Sequence, residues 1–173
     1  GRRYGLRIDR YIDERLDPVR AGEAGMAYLE ALHERFGDWF LALAAYNAGH
    51  NAVRRSLERD DSRNYFEVFL PRETRRYVLR IAAAKLVMTD PERYGIPRLK
   101  PVAVPEPREV VVRVEQARRP LEEVARAHGA GYGVLKRLNP SLVSQWLPRG
   151  EHRLKLPAAP DDPADSPGER PSD

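Results

Sequence analysis

The chain has 173 residues, enough for one ordinary domain or for two small ones joined by a linker. It holds no cysteine, which excludes disulfides, Cys-based metal sites and cysteine nucleophiles. Its 30 Lys+Arg against 26 Asp+Glu give a net charge of +4; without the acidic residues 158–173 the balance is 29 against 21, or +8, which favours an anionic partner.

Asp17-Pro18 predicts a helix start, with Asp17 as N-cap and Pro18 at the first helical position, where its missing N–H costs nothing. Ala21, Ala24, Tyr28, Leu32 and Phe36 then recur at helical spacing. Gly37-Asp38 ends that helix and caps a second, from about Trp39 through Leu41, Leu43, Ala44 and Ala45. This second helix is apolar nearly all round and belongs in the middle of a domain. It stops near Asn47-Ala48-Gly49, and a further turn or two carries Val53 and Leu57. Leu70-Pro71 opens a third long helix, with Tyr77, Val78, Ile81, Ala84 and Met88 as its predicted buried stripe.

Composition then changes. Pro91, Pro97, Pro101, Pro105 and Pro107 mark a stiff, extended linker. Beyond it, Glu109 to Val114 is a β-branched strand pattern, Pro120 to His128 and Tyr132 to Leu138 are short amphipathic helices, and His152 to Leu156 alternates as a closing strand. The predicted organisation is a helical domain over 1–97, a Pro-rich linker over 98–108, a β-α-α-β module over 109–157 and a disordered acidic, Pro-rich tail over 158–173. No apolar run reaches membrane-spanning length. The chain begins at Gly1 without an initiator Met or a leader-type segment, which fits a processed protein or a fragment.

Two short stretches carry the chemistry. Tyr46-Asn47 closes the apolar helix. From the residues alone, Asn47 is either a helix-end residue beside a core Tyr46, or both line a cleft. Glu73 opens the third helix, where a carboxylate suits the free N–H groups and the helix dipole. Ala45-Tyr46-Asn47-Ala48-Gly49 followed by Glu73-Thr74-Arg75-Arg76-Tyr77-Val78 resembles the later part of the soluble lytic transglycosylase family, lysozyme-like enzymes that cut peptidoglycan glycan strands. Gly1-Arg2-Arg3-Tyr4-Gly5-Leu6, Asp13 to Pro18, Phe36-Gly37-Asp38-Trp39 and Tyr94-Gly95-Ile96 agree with the same family in order.

The resemblance implies a mainly α, lysozyme-like partial domain. It implies that Tyr46, Asn47 and Glu73 bind substrate and that Tyr77 packs beneath the cleft. Arg75 pairs with neighbours of Glu73 or with substrate carboxylates. The family's general acid/base glutamate precedes the segment equivalent to Gly1, on a Glu-Ser helix absent here. The chain alone is therefore expected to lack a catalytic residue and to be inactive. The implied reaction is non-hydrolytic cleavage of the MurNAc–GlcNAc bond to a 1,6-anhydro product, without metal or cofactor. The implied setting is the periplasm or cell envelope, with peptidoglycan as partner and a monomeric chain.

Residues 109–157 resemble a LysM domain, a β-α-α-β module that binds N-acetylglucosamine-containing glycans. The agreeing residues are the Val-rich strand, Leu121 to Ala125, Leu135 to Pro140, and Gly150 with Leu154 to Pro157. The family's usual Gly-Asp after the first strand is replaced by Gln116-Ala117. Glycan contacts are expected from loops 116–120 and 139–148, at Asn139 and, by stacking, at Trp146. The rival readings are a non-catalytic glycan-binding scaffold, a goose-type lysozyme and a nucleic-acid-binding protein. The last is disfavoured because arginines are scattered around helix faces rather than gathered on one.

Overall fold

The computed structural model describes residues 1–97, 102 and 104–158. Much of the expected linker and almost all of the expected tail lie outside these residues. The fold is mainly α with a small α+β module. Backbone contacts divide it into two units, Gly22–Pro101 and a second made of Gly1–Ala21 together with the chain from Val102 onward.

The helical unit holds α1 (Pro18–Phe36, which begins in the other unit), α2 (Trp39–Ala48), α3 (His50–Asp60) and α4 (Arg72–Thr89). Its helix starts are written in the sequence. The Asp17 carboxylate accepts from the N–H groups of Val19 and Arg20 at 2.9 and 3.1 Å, and Asp38 accepts from Leu41 N–H at 2.8 Å. Gly49 separates α2 from α3 with φ 86° and ψ 136°, a conformation that side chains disfavour. Leu41, Ala42, Ala44 and Ala45 are buried, so α2 is the centre of the unit and packs on α3 and α4. Leu32, Val53, Tyr65, Val68, Leu70 and Val78 complete that core.

The predicted stripe of α4 holds only in its first half. Thr74 and Val78 are buried and Tyr77 and Ile81 half-buried, but Ala84 is exposed and Met88 is 82% exposed. Periodicity marks the face that is able to be buried; burial also needs a partner, and the second half of α4 has little cover among the described residues of this unit.

The other unit is built on an antiparallel pair, β1 (Arg108–Pro120) and β2 (Trp146–Leu156), with α5 (Leu121–Ala127) and α6 (Tyr132–Leu138) between them. Val112 and Val114 point inward, as do Leu147, Leu154 and Leu156, and they meet Leu121, Val124 and Leu135 from the helices. Both strands are longer than the sequence pattern indicates. The ladder breaks between Val114 and Arg118, then resumes through Pro120 opposite Trp146. Gln116-Ala117 therefore sits in a strand irregularity, and residues 118–120 are paired strand where a loop was expected.

Residues 1–21 group with this module and not with the helices, although all of 1–97 was expected to form the helical domain. The reason is a small hairpin, Arg7 to Glu14. Glu14 N–H donates to Arg7 O at 2.9 Å, and Ile8 bridges Asp13. Its tip carries no glycine or proline. The Asp9 carboxylate shapes it by accepting from the N–H groups of Tyr11 and Ile12 at 2.7 and 2.8 Å, while Arg7 donates to it at 2.7 Å. Ile12 is 8% exposed and joins the module's core.

Burial alone would raise the Asp9 pKa, but the bonds from Arg7, Tyr11 and Ile12 outweigh it and hold it at about 2, below the ordinary 3.8. A depressed carboxylate stabilises the fold above its unfolded value, and that contribution disappears as pH falls through the folded one. The hairpin tip is thus expected to loosen between about pH 4 and pH 2. The Tyr11 and Ile12 amide resonances should titrate together across that window; amides that move only near the ordinary carboxylate value would contradict it.

Candidate functional site

The last turn of α2 places Tyr46 and Asn47 at the surface of the helical unit. Tyr46 is 41% exposed despite following two fully buried alanines, and Asn47 is exposed. The backbone N–H of Gly49 donates to Ala45 O at 2.9 Å and closes the helix, so Gly49 supplies the helix-end cap. Tyr46 is not a core aromatic either. Its ring lies 5.6 Å from that of Tyr28 on α1, tilted by 40°.

Tyr77 on α4 stands near Tyr46. Burial pushes its phenol pKa up, and Tyr46 adds to that shift. Glu73 lies one helical turn before Tyr77, on the same face of α4. It is exposed in the first turn, where the helix N-terminus favours a carboxylate. Three helices therefore meet around Tyr46: Tyr28 from α1, Tyr46 itself from α2 and Tyr77 from α4.

Arg75 belongs elsewhere. Two residues on from Glu73, it projects from a different side of α4, with its guanidinium 5.9 Å from the Phe69 ring centroid. Its charge also acts on Tyr65. This arrangement separates Arg75 from the Tyr46 surface.

Two residues of the surface had no functional reading in sequence. Tyr28 reads as part of an apolar stripe. Gly25, one turn earlier, is a mid-helix glycine, which costs about 1 kcal/mol against alanine and so invites a packing reason. A Cβ added at Gly25 would stand 3.3 Å from the Tyr46 hydroxyl oxygen, so the glycine gives that hydroxyl its space. Gly25→Ala should keep or raise thermal stability, by up to about 1 kcal/mol, because alanine favours the helix. It should also displace the Tyr46 hydroxyl by a few tenths of an ångström. A melting curve paired with the Tyr46 ring resonances checks both; an unmoved Tyr46 would contradict the contact.

A proton donor for glycoside cleavage needs a raised carboxyl pKa. The carboxyls with displaced values among the described residues move the other way. The Arg15 hydrogen bond lowers Asp13, and the bonds from Arg59 and from Phe69 N–H hold Asp60 at about 2. Asp9 is lowered as described above. No group of His, Cys, Asp and Glu able to hold a metal occurs among the described residues.

On the module, the two expected glycan contacts have different environments. Asn139 is 6% exposed. Its side-chain N–H groups donate to Leu135 O at 2.8 Å and Lys155 O at 2.7 Å, and its oxygen accepts from Lys155 N–H at 2.8 Å. It ties the end of α6 to the outer edge of β2 and is committed to structure. Trp146 is half-buried, with the Arg118 guanidinium 4.3 Å from its ring centroid. It borders an open groove with Pro120, Arg126, Tyr132 and Gln145.

Residues 1–69 match the sequence family described as "Transglycosylase SLT domain". The chain is also similar to the "Membrane-bound lytic murein transglycosylase D" of two Escherichia coli strains, at 35% identity over 101 residues in each case. Those alignments cover 56% of this chain and 22% of each relative, so the chain spans about a fifth of the length of the curated relatives it matches.

Proposed function

Because residues 1–69 match the transglycosylase SLT domain family, we propose that this chain supplies one wall of the glycan cleft of a peptidoglycan lytic transglycosylase. The observation that carries the proposal is the exposed Tyr46, held against Tyr28 at the end of an otherwise buried helix. In this reading Tyr46 and Asn47 line the subsite at the scissile bond. Glu73 binds N-acetyl sugars beside them, and Tyr77 supports Tyr46 from below.

The reaction needs one carboxyl group that acts twice. As an acid it gives its proton to the glycosidic oxygen as the bond from C1 breaks. As a base it then removes the proton from the MurNAc 6-hydroxyl, whose oxygen bonds to C1 and closes the 1,6-anhydro ring. Water is not consumed. We assign that carboxyl to a glutamate preceding Gly1 in a longer protein, since the motifs carried here match the segments that follow it in the family. Glu73 matches a different motif and sits exposed.

The β-α-α-β module is proposed to bind N-acetylglucosamine-containing glycan through the groove beside Trp146. The protein is proposed to act as a monomer on peptidoglycan in the periplasm or cell envelope. Among the described residues no helix is long and apolar enough to cross a membrane.

A sedimentation assay with purified peptidoglycan tests the binding part. The chain should co-sediment with the polymer, and joint Tyr46→Ala and Trp146→Ala substitutions should abolish this. Equal retention by the doubly substituted, folded chain would argue against both surfaces.

A further inference from the structure

We propose that the Arg7–Glu14 hairpin is a docking element that holds the β-α-α-β module in place independently of the Pro-rich linker. Three observations support it. The first is apolar: Ile12 enters the core formed by Leu142, Leu154 and their neighbours. The second is a short stretch of β pairing between the hairpin tip and the loop after α6. Ile12 bridges Leu142, Asp13 N–H donates to Ser141 O at 2.8 Å, and Val143 N–H donates to Tyr11 O at 3.0 Å. The third is preorganisation, because the Asp9 carboxylate fixes the tip from within through its bonds to Tyr11 and Ile12.

Backbone pairing of this kind resembles strand addition, here to a loop and not to a sheet edge, with a buried side chain giving it register. The hairpin and the module are separated in sequence by the entire helical unit, yet they form a single compact body. The chain therefore crosses between the two bodies twice, near Ala21 and near Pro101. A module joined only by a proline-rich tether would explore space freely. One gripped by the hairpin stays attached when the tether is cut. The hairpin also occupies the Val143 N–H, so a glycan bound to the module cannot use that donor.

The test uses the full chain with a specific protease site placed between residues 102 and 107. After cutting, the two pieces should co-elute on gel filtration. Ile12→Asp, which places a charge in the shared core, should separate them. Separation of the pieces in the otherwise unchanged protein would overturn the proposal, as would undiminished co-elution in folded Ile12→Asp. If Ile12→Asp does not fold, hydrogen exchange in the uncut protein decides. The Val143 amide should be protected in the parent and exchange at least about 10-fold faster in Ile12→Ala, while Val78 in α4 stays unchanged. An unprotected Val143 amide in the parent would also overturn it.

Discussion

Asn139→Ala is expected to destabilise the β-α-α-β module by about 2–4 kcal/mol, well before any question of ligand affinity arises. The substitution removes three hydrogen bonds at once and leaves the N–H and C=O of Lys155 without their partner at the outer edge of β2. Each buried backbone group left unsatisfied costs about 1–3 kcal/mol. In so small a body each kcal/mol lowers the melting temperature by roughly 4–8 °C. Asn139→Asp should be no milder, since it loses both donors and sets a carboxylate against two carbonyls. A melting curve that reports the module, followed through the Trp146 environment, checks this. A glycan-contacting Asn139 would give the opposite pattern, with weaker binding at unchanged stability.

Tyr46→Phe should behave in the reverse sense. The phenyl ring still packs on Tyr28, and the position is 41% exposed, so stability should change by no more than about 0.5 kcal/mol. In the longer protein proposed above, glycan cleavage should fall by roughly 10²-fold, the size of effect seen when one preorganised donor is removed from a reacting centre. Tyr77→Phe should have a smaller effect, because that residue acts through Tyr46. A Tyr46→Phe enzyme with unimpaired turnover would remove the hydroxyl from the mechanism and leave only a stacking surface.

The two substitutions separate what sequence makes legible from what it does not. Helix starts at Pro18 and Trp39 were readable because Asp17 and Asp38 satisfy orphan N–H groups two and three residues away, a strictly local interaction. The β-α-α-β order was readable for the same reason, from alternation and turn residues. The second half of α4 was not, because its apolar residues resemble a buried face whether or not another element covers them. Asn139 after α6 has the appearance of an ordinary helix end. That it completes the edge of β2 depends on a strand sixteen residues later.

The hairpin was hidden for a similar reason. Arg7 to Glu14 contains none of the Gly or Pro signals of a tight turn, and its shape comes from the Asp9 side chain. Its partner, Leu142, lies more than a hundred residues away. Motif order is what proposes Tyr46, Asn47 and Glu73 as site residues. Tyr28 and Gly25 were not legible, since their role depends on α1 crossing the end of α2. Arg75 shows the limit of motif reading: it adjoins Glu73 in the motif and projects from a different side of the helix.

Tyr46, Asn47 and Glu73 are proposed to form part of a site that breaks glycan strands without water. The most direct measurement is the mass of the muropeptides released from purified peptidoglycan by the longer protein, with the present chain assayed beside it. The proposed chemistry should give 1,6-anhydro ends from the longer protein, each lighter by one water than a hydrolytic product, and no release by the chain of residues 1–173. Hydrolytic reducing ends from the longer protein, or release by the present chain alone, would contradict it.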